Sequence, residues 1–342
     1  DTLDLATRAA AERRDFMARR MGTWQRGGAV GRQRLLAMNR LHTGEPALAR
    51  RLGSALDRLE RIGNADQRAR FETLHTIKVL RQEPGVTAAE PNYRVQPFVT
   101  PNDEAFPFQW HFPLINLPAA WNTTVGTAET VVAVIDTGVL SDHPDLAGQL
   151  VDGFDFVRNA ERAGDGDGID PDPDDPGSAE PGSSSFHGTH VAGTVAARGN
   201  NGIGVAGVAY GARIMPLRAL AEDGGTSYDI NQAVRYAAGL PNDSGTTPSQ
   251  PATVINMSLG GPSPSQIDQD LFNQLRDRGI IVVAAAGNES TTRPSYPAAY
   301  DGVFSVSAVD AQGRITGYSN RGSSIDLAAP GGDGSNDFTG DG

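Results

Sequence analysis

Residues 130–136 read Thr-Val-Val-Ala-Val-Ile-Asp (TVVAVID). A run of apolar and β-branched residues closed by a carboxylate is the pattern of a strand buried on both faces, as in a parallel sheet. Similar runs recur at 213–219, 252–257, 280–285 and 303–308, and helical spacing fills 187–197, 228–238 and 265–278 between them. Alternation of this kind predicts an α/β fold, a mainly parallel sheet with helices on both faces. In such sheets ligands bind beyond the carboxyl ends of the strands. The residues to watch are therefore those that follow each apolar run.

Upstream of this region the text changes. In residues 1–99 apolar residues fall at helical spacing, first at Leu48, Leu52, Leu56, Leu59 and Ile62, then at Phe71, Leu74, Ile77 and Leu80. This predicts a smaller helix-rich module at 1–99 ahead of a domain at 100–342. Residues 86–98 (VTAAEPNYRVQPF) read as extended, and Pro101, Pro107 and Pro113 make 98–113 a linker or entry segment. Two stretches are too acidic and too rich in Gly, Pro and Ser to pack a core: 159–185 and 331–342. Both read as surface loops. Because the chain stops within the second, the domain is expected to be incomplete at its C-terminus.

Charge and composition exclude several classes. The net charge of −12 argues against nucleic-acid binding, which wants a basic face. Arginine crowds the first 82 residues and aspartate the stretch 136–175, so the two modules carry opposite sign. With no cysteine there is neither a disulfide nor a thiolate site. No apolar run approaches the ~20 residues that span a bilayer.

Three polar residues stand out beside these elements. Asp136 ends the strand in VIDTGV, His187 opens HGTHVAGTVAA, and Asn288 ends VVAAAGN. A carboxylate there is costly unless something uses it, an imidazole suits general-base work, and an amide can donate to a developing oxyanion. Taken singly, each reads as well as a turn or helix-start residue. His187 and His190 stand three apart, but H-E-x-x-H and a third ligand are missing, which argues against zinc. Gly202, Gly204 and Gly207 spell G-x-G-x-x-G, yet a helix precedes them and a strand follows, the reverse of a dinucleotide site. Asp165, Asp167, Asp170, Asp172 and Asp174 begin like half an EF-hand loop, without the glutamate at its twelfth position, so a calcium site and a solvated acidic loop both stay open.

Taken in order, VIDTGV, HGTHVAGT, NMSLGG and VVAAAGN, with DHPDL, NNGIGVAGVA and SYPAAYDGVFSVSAVD in register, resemble the subtilisin family of serine proteases. The resemblance implies a secreted serine endopeptidase made as a zymogen. Asp136 would orient the imidazole, His187 would be the base and Asn288 the oxyanion donor. Leu220, Ala221, Glu222, Asp223 and Gly224 resemble one strand that pairs with an extended peptide; Ser258, Leu259, Gly260 and Gly261 resemble the other. Ser295 matches the floor of the primary pocket, Tyr228 a more distal subsite, and Glu289 the pocket rim. Structural calcium would be held by Asp103, Asp145, the Asn201 amide and the carbonyls of Ile203 and Val205. The stretch 79–97 resembles the end of an inhibitory propeptide, so the N-terminal module would act as intramolecular inhibitor, with cleavage within 96–102. Substrates would be proteins or peptides.

The family's nucleophile motif, G-T-S-M-A-x-P, is absent. The Gly-Thr-Ser at 225–227 leads into Tyr-Asp-Ile, where Thr226 and Asp229 fit a helix-capping box. Ser227 is therefore read as a decoy, and the chain by itself is expected to be inactive. Two alternatives remain: an inactive homologue that binds peptides, and a non-enzymatic inhibitory or chaperone role for the N-terminal module.

Overall fold

The computed structural model describes residues 64–82, 85–91, 99–178 and 185–333. The chain divides into two units, Asp1–Gln96 and Pro97–Gly342. In the first, helix α1 (Ala65–Leu80) covers the apolar spacing of Phe71, Leu74, Ile77 and Leu80. The earlier spacing from Leu48 to Ile62 and part of the 96–102 stretch lie outside the described residues.

The second unit is built on seven strands: β1 (Val131–Asp136), β2 (Phe154–Asp155), β3 (Arg213–Arg218), β4 (Val254–Met257), β5 (Ile281–Ala285), β6 (Val303–Val309) and β7 (Leu327–Pro330). Their order is β2-β3-β1-β4-β5-β6-β7, with every neighbouring pair parallel. Every residue of β1 is buried, as its composition predicts. Its side chains alternate between two layers. Val131, Ala133 and Ile135 join the larger core, with Ala233 and Val234 of one helix (Ser227–Ala237) and Leu271, Phe272 and Leu275 of another (Gln266–Asp277). Val134 faces the opposite layer, with Ala192 and Ala196 of the helix His187–Ala196. Parallel pairing forces a crossover between strands, and these helices supply it. Among the described residues no helix is long and apolar enough to cross a membrane.

Three features depart from the sequence reading. Residues 98–113 are more than a linker. A 3-10 turn (Phe106–Phe108), α2 (His111–Leu114) and α3 (Leu117–Trp121) pack Phe106, Phe112 and Trp121 against one another and Tyr210 against Trp121. Pro107 and Pro118 sit in the first turns, where a missing N–H costs nothing. The acidic stretch is likewise tied down as far as it is described. Helix α4 (Ala160–Ala163) opens it, and its backbone pairs with β2 through Asp155 and Asp170. Last, β7 forms from a segment without strand-like alternation, held by its register on β6. The helices above are α5 (His187–Ala196), α6 (Ser227–Ala237) and α7 (Gln266–Asp277).

Candidate active site

Since all strands run the same way, the turns after β1, β3, β4 and β5 leave from one edge of the sheet. Asp136, the 220–224 segment, the 258–261 segment and Asn288 thus share that edge. His187 reaches it from α5. Gly188 makes this approach possible: a Cβ there would collide with the Gly138 carbonyl oxygen. Gly138 itself needs its left-handed φ of 98° to turn under Pro173. Thr137 then locks the joint, its Oγ1 donating to Asp175 Oδ2 at 2.7 Å and accepting from the Gly188 N–H at 3.0 Å.

The outcome is a 2.7 Å contact between His187 Nδ1 and Asp136 Oδ1. Asp136 is wholly buried, whereas the His187 side chain is 47 % exposed. The carboxylate fixes the tautomer, with Nδ1–H donating and Nε2 left for proton transfer. Hydrogen bonding to Asp136 raises the His187 pKa above its ordinary 6.5, against the opposing pull of burial.

The substrate-binding candidates come together as two segments. Gly261 and Tyr296 exchange backbone hydrogen bonds at 2.8 Å in both directions. A Cβ on Gly260 would lie 2.6 Å from Ser295 Oγ, so the pocket-floor candidate sits directly under the 258–261 segment. On the other side, Leu220 donates its N–H to the Asp136 carbonyl, and Ala221 and Gly224 close a tight turn over Glu222 and Asp223. Arg162 of α4 holds that turn, with Nη2 2.7 Å from Asp223 Oδ1 and 2.9 Å from the Gly224 carbonyl. Tyr228 is exposed; its hydroxyl donates to Asp243, and the Arg158 guanidinium lies 4.7 Å from its ring centre. Ser227 is the first residue of α6, and Thr226 caps that helix through the Asp229 N–H at 3.1 Å.

Of the metal candidates, Asp103 and Asp145 are both buried. Asp103 accepts from the Asn200 and Asn201 N–H groups, Asp145 from Val205 N–H and the Asn201 side chain. Asn201 thus reaches both carboxylates and Val205 reaches Asp145, while Ile203 turns its N–H onto the Asn201 amide oxygen at 2.9 Å. The five loop aspartates do not share one point. Asp165 and Asp170 join Asp155, one oxygen of each within 4.8 Å of the others. Asp172 and Asp174 instead accept N–H groups from Asp174 and Ser141, and Asp167 stands beside Asp170. Asp155 and Asp165 clamp the buried Arg218 guanidinium. Burial pushes the Asp155 carboxyl up to about 7 despite that partner.

Sequence reading passed over Asp155, Arg162, Arg218 and Asn320. A charge at the end of a buried strand, as in RIMPLR at 213–218, was the one available signal that a partner must exist.

Known proteins similar to this chain bear on its family and fold. A family model described as "Subtilase family" matches residues 127–341. An extracellular protease of Xanthomonas campestris is 42% identical over 296 residues, covering 82% of this chain and 50% of its own. A thermophilic serine proteinase of Bacillus sp. strain AK1 is 40% identical, covering 75% and 57%. A solved protease from Pseudoalteromonas arctica superposes with a TM-score of 0.65 at 45% identity, covering 69% of this chain and 73% of its own. The chain spans about half the length of the first of these relatives.

Proposed function

This chain belongs to the subtilase family of serine proteases, and from that premise we propose that it is part of a secreted endopeptidase acting on extended protein or peptide segments, with residues 1–99 as its inhibitory module. The observation that carries the reading is the 2.7 Å contact between His187 and Asp136 at the carboxyl edge of the sheet. His187 Nε2 would take the proton of a serine hydroxyl as that oxygen attacks the scissile carbonyl. The Asn288 amide would donate to the oxyanion formed. The imidazolium would return its proton to the departing amine, leaving an acyl-enzyme for water to cleave. Losing the side-chain oxyanion donor slows turnover ~10²–10³-fold, a magnitude established for subtilisin itself and carried over to Asn288. Secretion is supported by the relatives named as extracellular proteases.

On this reading the 342 residues supply the base, its carboxylate and one oxyanion donor, and the nucleophile comes from outside them, because they hold no G-T-S-M-A-x-P motif. A second observation agrees. Ile281, Phe304 and Leu327, on neighbouring strands β5, β6 and β7, are all exposed, which leaves an apolar surface for further chain to cover. Labelling with a peptidyl phosphonate tests the proposal. The 342-residue chain should stay unlabelled, and a protein extended along its reading frame should be labelled at a serine beyond them. Labelling at Ser227 would overturn the decoy reading; silence from both proteins would favour an inactive peptide-binding homologue.

Calcium belongs to the same proposal at Asp103 and Asp145. Among the described residues neither carboxylate makes an ion pair, and the carbonyls of Ile203 and Val205 accept no hydrogen bond, whereas that of Gly204 accepts one from Ala105. Two buried carboxylates and alternate free carbonyls are the hard oxygen set that calcium takes. Asn201 turns its amide nitrogen to Asp145, so it would join after a half-turn of the amide. The loop aspartates fit an ion less well, since Arg218 already brings positive charge to Asp155 and Asp165.

A further inference from the structure

Asn288 stands at the tip of a loop that is otherwise held on both sides by one segment 30 residues away. The Gly287 carbonyl accepts from Asn320 N–H at 2.9 Å, Ser290 N–H donates to the Tyr318 carbonyl at 2.8 Å, and Arg321 N–H donates to the Thr291 carbonyl at 2.9 Å. The centre of this contact is the Asn320 side chain, only 2 % exposed. Its Oδ1 accepts from Glu289 N–H at 3.1 Å and Thr291 N–H at 3.0 Å. Its Nδ2 donates to the Ala286 carbonyl at 2.9 Å and to Glu289 Oε2 at 2.6 Å.

An asparagine amide has two donors and two acceptor sites, and here all four are used, on residues either side of Asn288. The partners fix which end is oxygen: two N–H groups face one side, a carbonyl and a carboxylate the other. Aspartate could not donate, and glutamine would overreach by a methylene. The loop has no slack in which to adjust. Gly287 has a φ of 105°, and Ser290 holds a left-handed φ of 54°. A Cβ on Gly287 would run into Asn320 Nδ2.

We propose that Asn320 is a positioning residue for catalysis: its buried amide sets the loop that aims Asn288 at the oxyanion. This rests on the protease reading above. The mechanism works through placement, because an oxyanion donor counts only if it is preorganised where the charge develops.

The test is a double-mutant cycle in the intact, active protein, read with a peptide substrate. Asn320→Asp keeps the shape and the two acceptor bonds, removes both donors and sets a carboxylate against Glu289. We expect kcat to fall about 10- to 100-fold, the scale of a small misplacement at a reacting centre, with KM within about twofold. In an Asn288→Ala background the same change should cost almost nothing further, since there is no donor left to misplace. Glu289→Gln should recover part of the loss in Asn320→Asp, by returning a donor to the carboxylate. A loss that multiplies undiminished on Asn288→Ala, a loss in KM alone, or no loss in kcat would each overturn the proposal. Should Asn320→Asp not fold, Glu289→Ala serves in its place, with the same outcomes at smaller amplitude. Hydrogen exchange separates this from failure of the protease reading. If the wild type neither cleaves peptide nor takes a phosphonate, that reading fails. The amides of Glu289 and Thr291 should still lose protection in Asn320→Ala, which removes their acceptor, while β1 keeps its own; unchanged exchange there would sink the positioning role.

Discussion

At the scale of single residues the decisive group is His187, whose useful form is the neutral one. Its hydrogen bond to Asp136 favours the imidazolium and raises its pKa above 6.5. The sign follows for two observables. In the protein extended to include its nucleophile, activity should climb with pH on a limb centred above 6.5, as the base loses its proton. The stability that the pair contributes is fully present below the unfolded-state value and is lost as pH rises through the folded one. Asp136→Asn should move the kinetic limb to lower pH and reduce kcat ~10⁴-fold, as tautomer control is lost. A pH profile of kcat/KM on both proteins checks this, and a limb that does not move would remove Asp136 from its role. Taken singly, Asp136, His187 and Asn288 each read as well as a turn or helix-start residue; they were legible through the ordered motifs that resemble the subtilisin family. Asn320 and Arg162 were not. Both act through backbone groups of distant segments, and nothing near them in sequence marks that use.

At the scale of elements, α5 is defined by what it lacks. Gly188, Ala192 and Ala196 are all buried, and their small side chains let the helix lie against β1. Gly188→Ala would put a methyl into the Gly138 carbonyl. Relief requires the helix start to retreat, which carries His187 away from Asp136. We expect a loss of about 1–3 kcal/mol in stability from overpacking together with a fall in kcat, measured by denaturant unfolding and peptide hydrolysis. Ser227 makes the opposite prediction. It opens α6 behind the Thr226 cap, so Ser227→Ala should leave peptide hydrolysis unchanged, whereas Thr226→Ala should cost about 1 kcal/mol as the cap is lost. The long buried strands and amphipathic helices were read correctly in kind, because periodicity survives in any context. The short helical turns within 98–113 were not read, because Pro107 was counted toward a linker or entry segment where it opens a 3-10 turn. The acidic stretch is mostly loop where it is described, opened by one helical turn. Its aspartates hold the backbone through N–H groups two residues on, as Asp170 does for Asp172 at 2.6 Å and Asp175 for Gly177 at 2.9 Å.

At the scale of the molecule, the question is what balances so much negative charge in a chain without disulfides. Arg218 answers it locally for Asp155 and Asp165. Asp103 and Asp145 are equally buried and pair, among the described residues, with backbone N–H and an amide alone. Two carboxylates kept from water without a cation are expensive, and a bound calcium would turn that cost into stability. The gain is set by linkage. An ion present at 100 times its Kd stabilises the fold by about 2.7 kcal/mol, which in a domain of roughly 250 residues raises Tm by about 5–10 °C. Chelation should therefore lower Tm by that order, and added calcium should restore it. Asp145→Ala should melt lower than the wild type in calcium and respond little to chelator. Altering the loop instead, with Asp170→Asn, should leave the response to chelator intact, because Asp170 belongs to the acidic group with Asp155 and Asp165 and not to the pair Asp103 and Asp145. Calorimetry on the three proteins, with and without chelator, decides between these sites. A wild type indifferent to chelator would dismiss calcium at Asp103 and Asp145, and a response lost in Asp170→Asn would move the ion into the acidic loop.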